Sequence, residues 1–336
     1  MRPNRPSLTR VLAAVGLGVS LLATAPSAGA APAATSMPGV QRCTSSLPVG
    51  TSTLTVSSAG VDRTVLVHVP ERVKGVQWKV PLVLTLHGSF SNAQEQLQRS
   101  ELAATAEEEG FLLAAPQGLI TYGPGLFAWN VPGVTSAPSG QTLVDDEQFL
   151  RDTVAALATL GCADPRRVVA TGYSGGGRMI SQWACDDPTS VAAIVPVVGL
   201  RAGTPVADGA GGYMPDPASC QPSAAVRVVA FSGMADPVNP YAGGGSPYWG
   251  YGTEAAQDRW AELNDCAARI TTRQLSEHVT VRDYRQCRRD ARVTLYAISD
   301  AGHTWPGSGD PFTGLGLVSQ EIRANDVIAD LVRTQR

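Results

Sequence analysis

The chain has 336 residues, a formal net charge of −3, 43% hydrophobic and 16% charged residues. That balance excludes a disordered chain and supplies an ample core, as one large α/β domain or two small ones. It carries no basic run and no arginine-striped helix, so no nucleic-acid partner is expected.

Residues 1–30 read as a signal peptide. Arg2, Arg5 and Arg10 precede an apolar run from Val11 to Ala25, and Ala28-Gly29-Ala30 offers small residues for cleavage. The run is shorter than the roughly 20 residues a bilayer span needs. Losing the three arginines would take the charge from −3 to −6. No later stretch reads as a membrane helix, so a secreted protein without a membrane partner is expected. Residues 31–42, rich in Ala, Pro and Ser, read as a flexible segment before a single domain over 43–336.

Thr53–Ser57 and Arg63–Val69 read as a hairpin, and Pro81–Leu86 as a central strand. Asn92 with Glu95 starts a helix that Gly110 ends. Phe111–Ala115 is a buried strand. Asp145 and Asp146 cap a helix with Leu150, Val154 and Leu157 on one face and Gly161 as its stop. Arg167–Thr171 is a strand and Arg178–Ala184 a helix. Then come the apolar run Val191–Val198, a strand over Val226–Phe231 and a helix over Thr253–Leu263. A strand over Arg292–Ile298 and a helix over Leu317–Val332 finish the pattern. Alternating strands and helices predict an α/β fold: a mostly parallel central sheet, an antiparallel N-terminal edge hairpin, and helices on both faces. Gly- and Pro-rich stretches at 121–142, 203–223 and 239–252 read as the long loops that build a site.

Gly172-Tyr173-Ser174-Gly175-Gly176 lies between a strand and a helix, the context of a nucleophile elbow. A serine hydroxyl there needs a base and a carboxylate, in the order Ser, acid, His. Of four histidines, only His278 and His303 follow Ser174. His278 lies in a polar stretch, whereas His303 directly follows a strand, so His303 is the base. The acid is Asp236, after the strand Val226–Phe231 and stiffened by Pro237. Asp300 is the second candidate, too close to His303 in sequence to orient it. Acyl transfer also needs N–H donors for developing negative charge. The strand Pro81–Leu86 runs into His87-Gly88-Ser89, so the backbone N–H groups of Ser89 and Gly175 form the expected oxyanion hole, and His87 is structural.

Together these segments resemble the secreted polyhydroxybutyrate-depolymerase-like esterases of the α/β-hydrolase fold, the group that holds feruloyl and acetylxylan esterases. The resemblance is carried by Leu86-His87-Gly88, Ala128-Trp129-Asn130, Val144-Asp145-Asp146, Asp164-Pro165-Arg166-Arg167-Val168, Gly172-Tyr173-Ser174, Ala235-Asp236-Pro237 and Gly302-His303-Thr304-Trp305-Pro306-Gly307. It runs from about residue 80 to 310. Gly175 departs from it, because Asn or Ala is frequent there. A Ser/Thr-rich linker and a polymer-binding module are not found in the chain, which argues against attack on solid polyester. The resemblance implies that Trp129 and Trp305 line the acyl pocket. Tyr241, Tyr248, Trp249 and Tyr251 sit in a loop after Asp236 that suits a sugar or phenolic ring.

The expected function is a serine carboxylic-ester hydrolase needing no cofactor or metal and no obligate protein partner. Feruloyl esters rank first, hydroxybutyrate oligomers second and acetylated xylan third. The rival from another class is a non-catalytic polymer- or carbohydrate-binding protein on the same fold. An even number of cysteines in an exported chain favours disulfides, and no CxxC pair suggests zinc. Position along the chain pairs Cys266 with Cys287 and Cys185 with Cys220, leaving Cys43 to Cys162.

Overall fold

Strands β1 (Gly50–Ser58) and β2 (Val61–Val69) form an antiparallel hairpin. Its two turn residues, Ala59 and Gly60, have φ of 49° and 78°, the positive values that match a tight turn to strand twist. The computed structural model describes residues 43, 45–309 and 314–334. The leader expected over 1–30 and the segment 31–42 lie outside the described residues. Among the described residues no helix is long and apolar enough to cross a membrane.

The remaining main-sheet strands are β3 (Val80–Leu86), β4 (Leu112–Pro116), β5 (Ala163–Tyr173), β6 (Ala193–Val197) and β7 (Arg227–Gly233), then β8 (Thr271–Gln274), β9 (Val279–Tyr284) and β10 (Val293–Ile298). Their order in the sheet is β1-β2-β4-β3-β5-β6-β7-β10-β9-β8. The six strands from β4 to β10 in that order run parallel. Antiparallel strands close both edges, β1 and β2 at one and β9 and β8 at the other. The second antiparallel edge was not expected: Thr271–Gln274 is fully exposed and carries no apolar alternation.

Helices cover both faces, for a reason written in the strands. Successive residues of a strand point to opposite sides. Leu82, Leu84 and Leu86 therefore pack with helices α3 (Asp146–Leu160), α4 (Gly175–Asp186) and α5 (Thr253–Leu263). Val83 packs on the other face with α1 (Ala93–Ser100), α2 (Leu102–Glu109) and α6 (Ala324–Thr334). The caps behave as their residues dictate. Asn92 Oδ1 accepts from Glu95 N at 3.0 Å and Asp145 Oδ1 from Gln148 N at 2.8 Å.

Two expected helices differ. The one from Asn92 to Gly110 is broken at Glu101, which has φ 53°. Asn325 Nδ2 on α6 donates to Ser100 O at 2.8 Å, so a tertiary contact takes a carbonyl that a continuous helix would use. The final helix begins at Ala324 rather than Leu317. Its expected first turns are instead a strap, where Leu315 O and Leu317 O accept from His303 N (2.7 Å) and Gly302 N (3.1 Å).

Three disulfides brace the molecule: Cys43–Cys162 ahead of β5, Cys185–Cys220 from the end of α4, and Cys266–Cys287 across the excursion holding β8 and β9. These are the pairs that position along the chain suggested.

Candidate active site

The turn from β5 to α4 is forced into a sharp elbow. Ser174 has φ 51° and ψ −111°, a strained conformation for a residue with a Cβ. The chain can turn so tightly because its neighbours lack side chains. A Cβ on Gly172 would lie 2.8 Å from Gly177 N, and one on Gly176 would lie 2.7 Å from His87 O. Ser174 N is fixed by Val197 O at 2.9 Å, so the elbow is anchored to the next strand.

His303 is brought to the elbow by the loop after β10, and Asp236 by the loop after β7. His303 Nδ1 meets Asp236 Oδ2 at 2.7 Å, with both residues buried. Asp236 is itself held: its Oδ1 accepts from Val238 N at 2.7 Å and Asn239 N at 2.8 Å. The imidazole therefore donates from Nδ1 to the carboxylate and presents Nε2 free of a proton. Burial lowers the His303 pKa below its ordinary value, and the hydrogen bond and charge of Asp236 oppose that. Tyr173 OH donates to His303 O at 2.6 Å and fixes the loop from below. Ser174 and His303 line one cavity of about 690 Å³. Among the described residues Ser174 Oγ makes no hydrogen bond to His303, although both line the cavity.

Ser89 lines the same cavity, and Gly175 lies against it: a Cβ on Gly175 would sit 2.8 Å from Ser89 N. Gly175 is the first residue of α4, and N–H groups of a helix's first turn have no partner within the helix. Gly175, the residue after the serine, thus lies against the Ser89 amide.

His87 is buried behind this segment. Its Nε2 accepts from Gly118 N at 2.9 Å, so Nδ1 carries the proton and donates to Gly88 O at 2.8 Å. Burial pushes its pKa down to about 4, against the hydrogen bond to Gly88 O. Trp129 Nε1 donates to His87 O at 2.8 Å, with the two rings 4.8 Å apart.

Trp129 and Trp305 do not line the cavity, which corrects the expectation for both. Each is almost wholly buried, and Trp305 Nε1 is spent on Asn325 Oδ1 at 3.0 Å. An indole finding its hydrogen-bond partner in the core is packed rather than presented. Phe90, Tyr122, Tyr173 and Tyr248 supply the aromatic lining instead. Of the loop aromatics, Tyr241, Trp249 and Tyr251 are buried, leaving Tyr248 on the cavity. The stretch 121–142 contributes Tyr122, Val134, Thr135 and Ser136, whereas 203–223 folds into a small hairpin away from the lining.

His278 belongs elsewhere. Its Nδ1 lies 2.5 Å from Glu321 and 3.7 Å from Asp300. These three are the one group among the described residues with clustered metal-ligand atoms, and none lines the cavity. Arg178, Tyr173 and Asn239 are site residues that motif reading passed over. Asn239 gave no sequence signal: its backbone N donates to Asp236, as any non-proline residue there could, and its side chain reaches Val198 O at 2.6 Å, 41 positions away.

No family model matches the chain. It is 28% identical over 265 residues to feruloyl esterase B of Piromyces equi, covering 77% of this chain and 45% of that protein. The chain thus spans about half the length of that relative. It is 26% identical over 338 residues to "Putative esterase NocK" of Nocardia uniformis subsp. tsuyamanensis, covering 92% and 91% of the two chains. An acetyl xylan esterase structure from Aspergillus awamori superposes with a TM-score of 0.50 at 14% identity, over 75% of this chain and 94% of that one. The native sOPH structure does so with 0.50 at 17% identity, over 82% and 90%. At such identities these structures speak for the fold alone. The sheet order and these solved structures give the chain the α/β-hydrolase fold, and its sequence is similar to two proteins named as esterases.

Proposed function

We propose that this chain hydrolyses carboxylic esters through a Ser174-His303-Asp236 triad. The observation that carries the reading is the buried 2.7 Å His303–Asp236 hydrogen bond beside the cavity that Ser174 lines. Ser174 Oγ attacks the ester carbonyl carbon while His303 Nε2 takes its proton. The N–H groups of Ser89 and Gly175 hold the oxyanion of the tetrahedral intermediate. Collapse expels the alcohol, which takes the proton from His303 as it leaves. Water, deprotonated by His303, then attacks the acyl-serine; collapse releases the acid and returns the proton from His303 to Ser174 Oγ. Asp236 keeps the imidazole in its tautomer and stabilises the imidazolium.

Supporting a hydroxycinnamoyl-type acyl group are the aromatic lining of the cavity, by Phe90, Tyr122 and Tyr248, and the relative named a feruloyl esterase. Hydroxybutyrate oligomers rank second and acetylated xylan third. Secretion as a single domain after a signal peptide is part of the reading, supported by three disulfides and the leader-like residues 1–30.

A serine-directed phosphonate should label Ser174, and Ser174→Ala should lower turnover of 4-nitrophenyl acetate on the order of 10³-fold or more. Labelling that survives the substitution would show a different nucleophile. Inertness of the native chain towards every ester would favour a binding protein. Comparing kcat/KM for methyl ferulate with that for a hydroxybutyrate trimer tests the acyl preference. Cleavage of the trimer alone would replace the aromatic reading.

A further inference from the structure

Arg178 stands one helical turn after Ser174 on α4 and lines the cavity, yet is 5% exposed. Its partners are neutral. Nη1 donates to Asn239 Oδ1 at 3.3 Å and Nη2 to Ser89 Oγ at 3.4 Å, both long bonds. Its Nε is buried with no hydrogen-bond partner, and the guanidinium carbon lies 4.9 Å from the Tyr248 ring. A guanidinium has five donors, so at least three are unused by these bonds. Among the described residues no carboxylate forms an ion pair with it. Burial pushes its pKa down to about 10, and the nearby Arg201 adds to that, while Tyr248 and Asp236 act the other way. Arg201 is also buried, and its guanidinium donates, among the described residues, to the carbonyls of Tyr248 and Tyr251. Asp236, whose charge acts on Arg178, is already committed to His303 and two backbone amides. Glu95 also lines the cavity, where it accepts from Ser91 Oγ at 2.6 Å.

A buried charge without a counter-charge is costly, and a planar fork of donors matches a carboxylate. We propose that Arg178 recognises a carboxylate carried by the ester substrate, so that the site prefers anionic esters over neutral ones of the same size. The inference rests on the ester-hydrolase reading and adds a substrate class to it. The carboxylate can sit on the acyl or the alcohol side, since both groups diverge from the carbonyl carbon beside Ser174.

Two pairs of esters separate those sources. Mono(4-nitrophenyl) glutarate and 4-nitrophenyl pentanoate differ by an acyl-side carboxylate. 4-Carboxyphenyl acetate and 4-(methoxycarbonyl)phenyl acetate differ on the alcohol side. In one pair, Arg178→Met should lower the charged-to-neutral ratio of kcat/KM on the order of 10- to 100-fold, as expected for a hydrogen-bonded charge. Arg178→Lys should keep part of the preference. A ratio unchanged in both pairs overturns the proposal, because Arg178 would then only hold Ser89 and Asn239. The native protein gives a readout independent of any variant: glutarate should compete with the neutral ester, and glutaramide should not. Equal inhibition by both, or none by either, also overturns it. If the native chain cleaves neither member of either pair, the ester-hydrolase reading itself falls, and this inference with it.

Discussion

Ser174 is held at φ 51°, where a side chain is strained, and that strain presents its hydroxyl to the cavity. His303, the proposed base, is tuned by opposing effects: burial disfavours imidazolium, and Asp236 favours it. Burial is the larger. His303 should therefore stay neutral to a lower pH than a free histidine, and the acid limb of a kcat/KM–pH profile should have its midpoint below 6.5. A midpoint above 6.5 would show that Asp236 dominates. Gly175 supports a second expectation. A Cβ there would lie 2.8 Å from Ser89 N, so Gly175→Ala should push the two amides apart. Turnover should fall on the order of 10²-fold, the usual loss on removing one oxyanion donor, with KM changed much less. Full turnover in that variant would move the oxyanion hole elsewhere.

Among the elements, the turn after β3 depends on His87 being neutral, because Nε2 accepts from Gly118 N. The folded-state pKa of His87 is about 4 and the unfolded value about 6.5. Between those values the unfolded chain binds a proton that the folded chain refuses. The stability this group contributes is therefore present above pH 6.5 and lost as pH falls towards 4, amounting to about 3 kcal/mol. Glu147, whose pKa burial raises to about 8, works in the opposite direction, so a variant comparison is the clean measurement. Urea unfolding of the native chain and His87→Gln should give a stability gap that narrows by about 3 kcal/mol between pH 7 and pH 4. A constant gap would mean that His87 titrates normally. Other motif segments act in the same supporting way. Asp146 accepts from Arg63 Nη2 at 2.6 Å and from Asn130 N at 2.7 Å, pinning the loop after Trp129. The family resemblance had implied that Trp129 faces the ligand. What placed it in the core was the His87 carbonyl, which lies 42 positions away in the chain.

Across the whole molecule, the disulfides tie distant parts of the chain to the site. Cys185–Cys220 links the end of the elbow helix to the segment before β7, which carries Asp236. Cys43–Cys162 spans 119 positions. Replacing Cys43 and Cys162 together by Ser should lower unfolding stability by about 2–4 kcal/mol while leaving the triad geometry in place. Denaturant midpoints and ester turnover measured on the same sample separate the two effects. A loss of turnover without a loss of stability would contradict a purely bracing role.

The sequence by itself determined the parallel core and the elbow, and it supplied the proposed order Ser174, Asp236, His303 and the suggested cysteine pairs. Each rests on local chemistry: apolar runs bounded by turn residues, glycines beside a serine, and cysteines at element ends. The tertiary structure alone decided which aromatics face the cavity, where α1 and α2 part, and that 315–319 straps the His303 loop instead of starting α6. It also decided that Arg178 lines the cavity and, among the described residues, has no carboxylate partner. A side chain's amphipathic character is legible from its type, but its partner is not. Trp129, Trp305 and Tyr248 share an aromatic body with a polar tip, and only the distant carbonyl or amide that meets the tip determines which of them is buried.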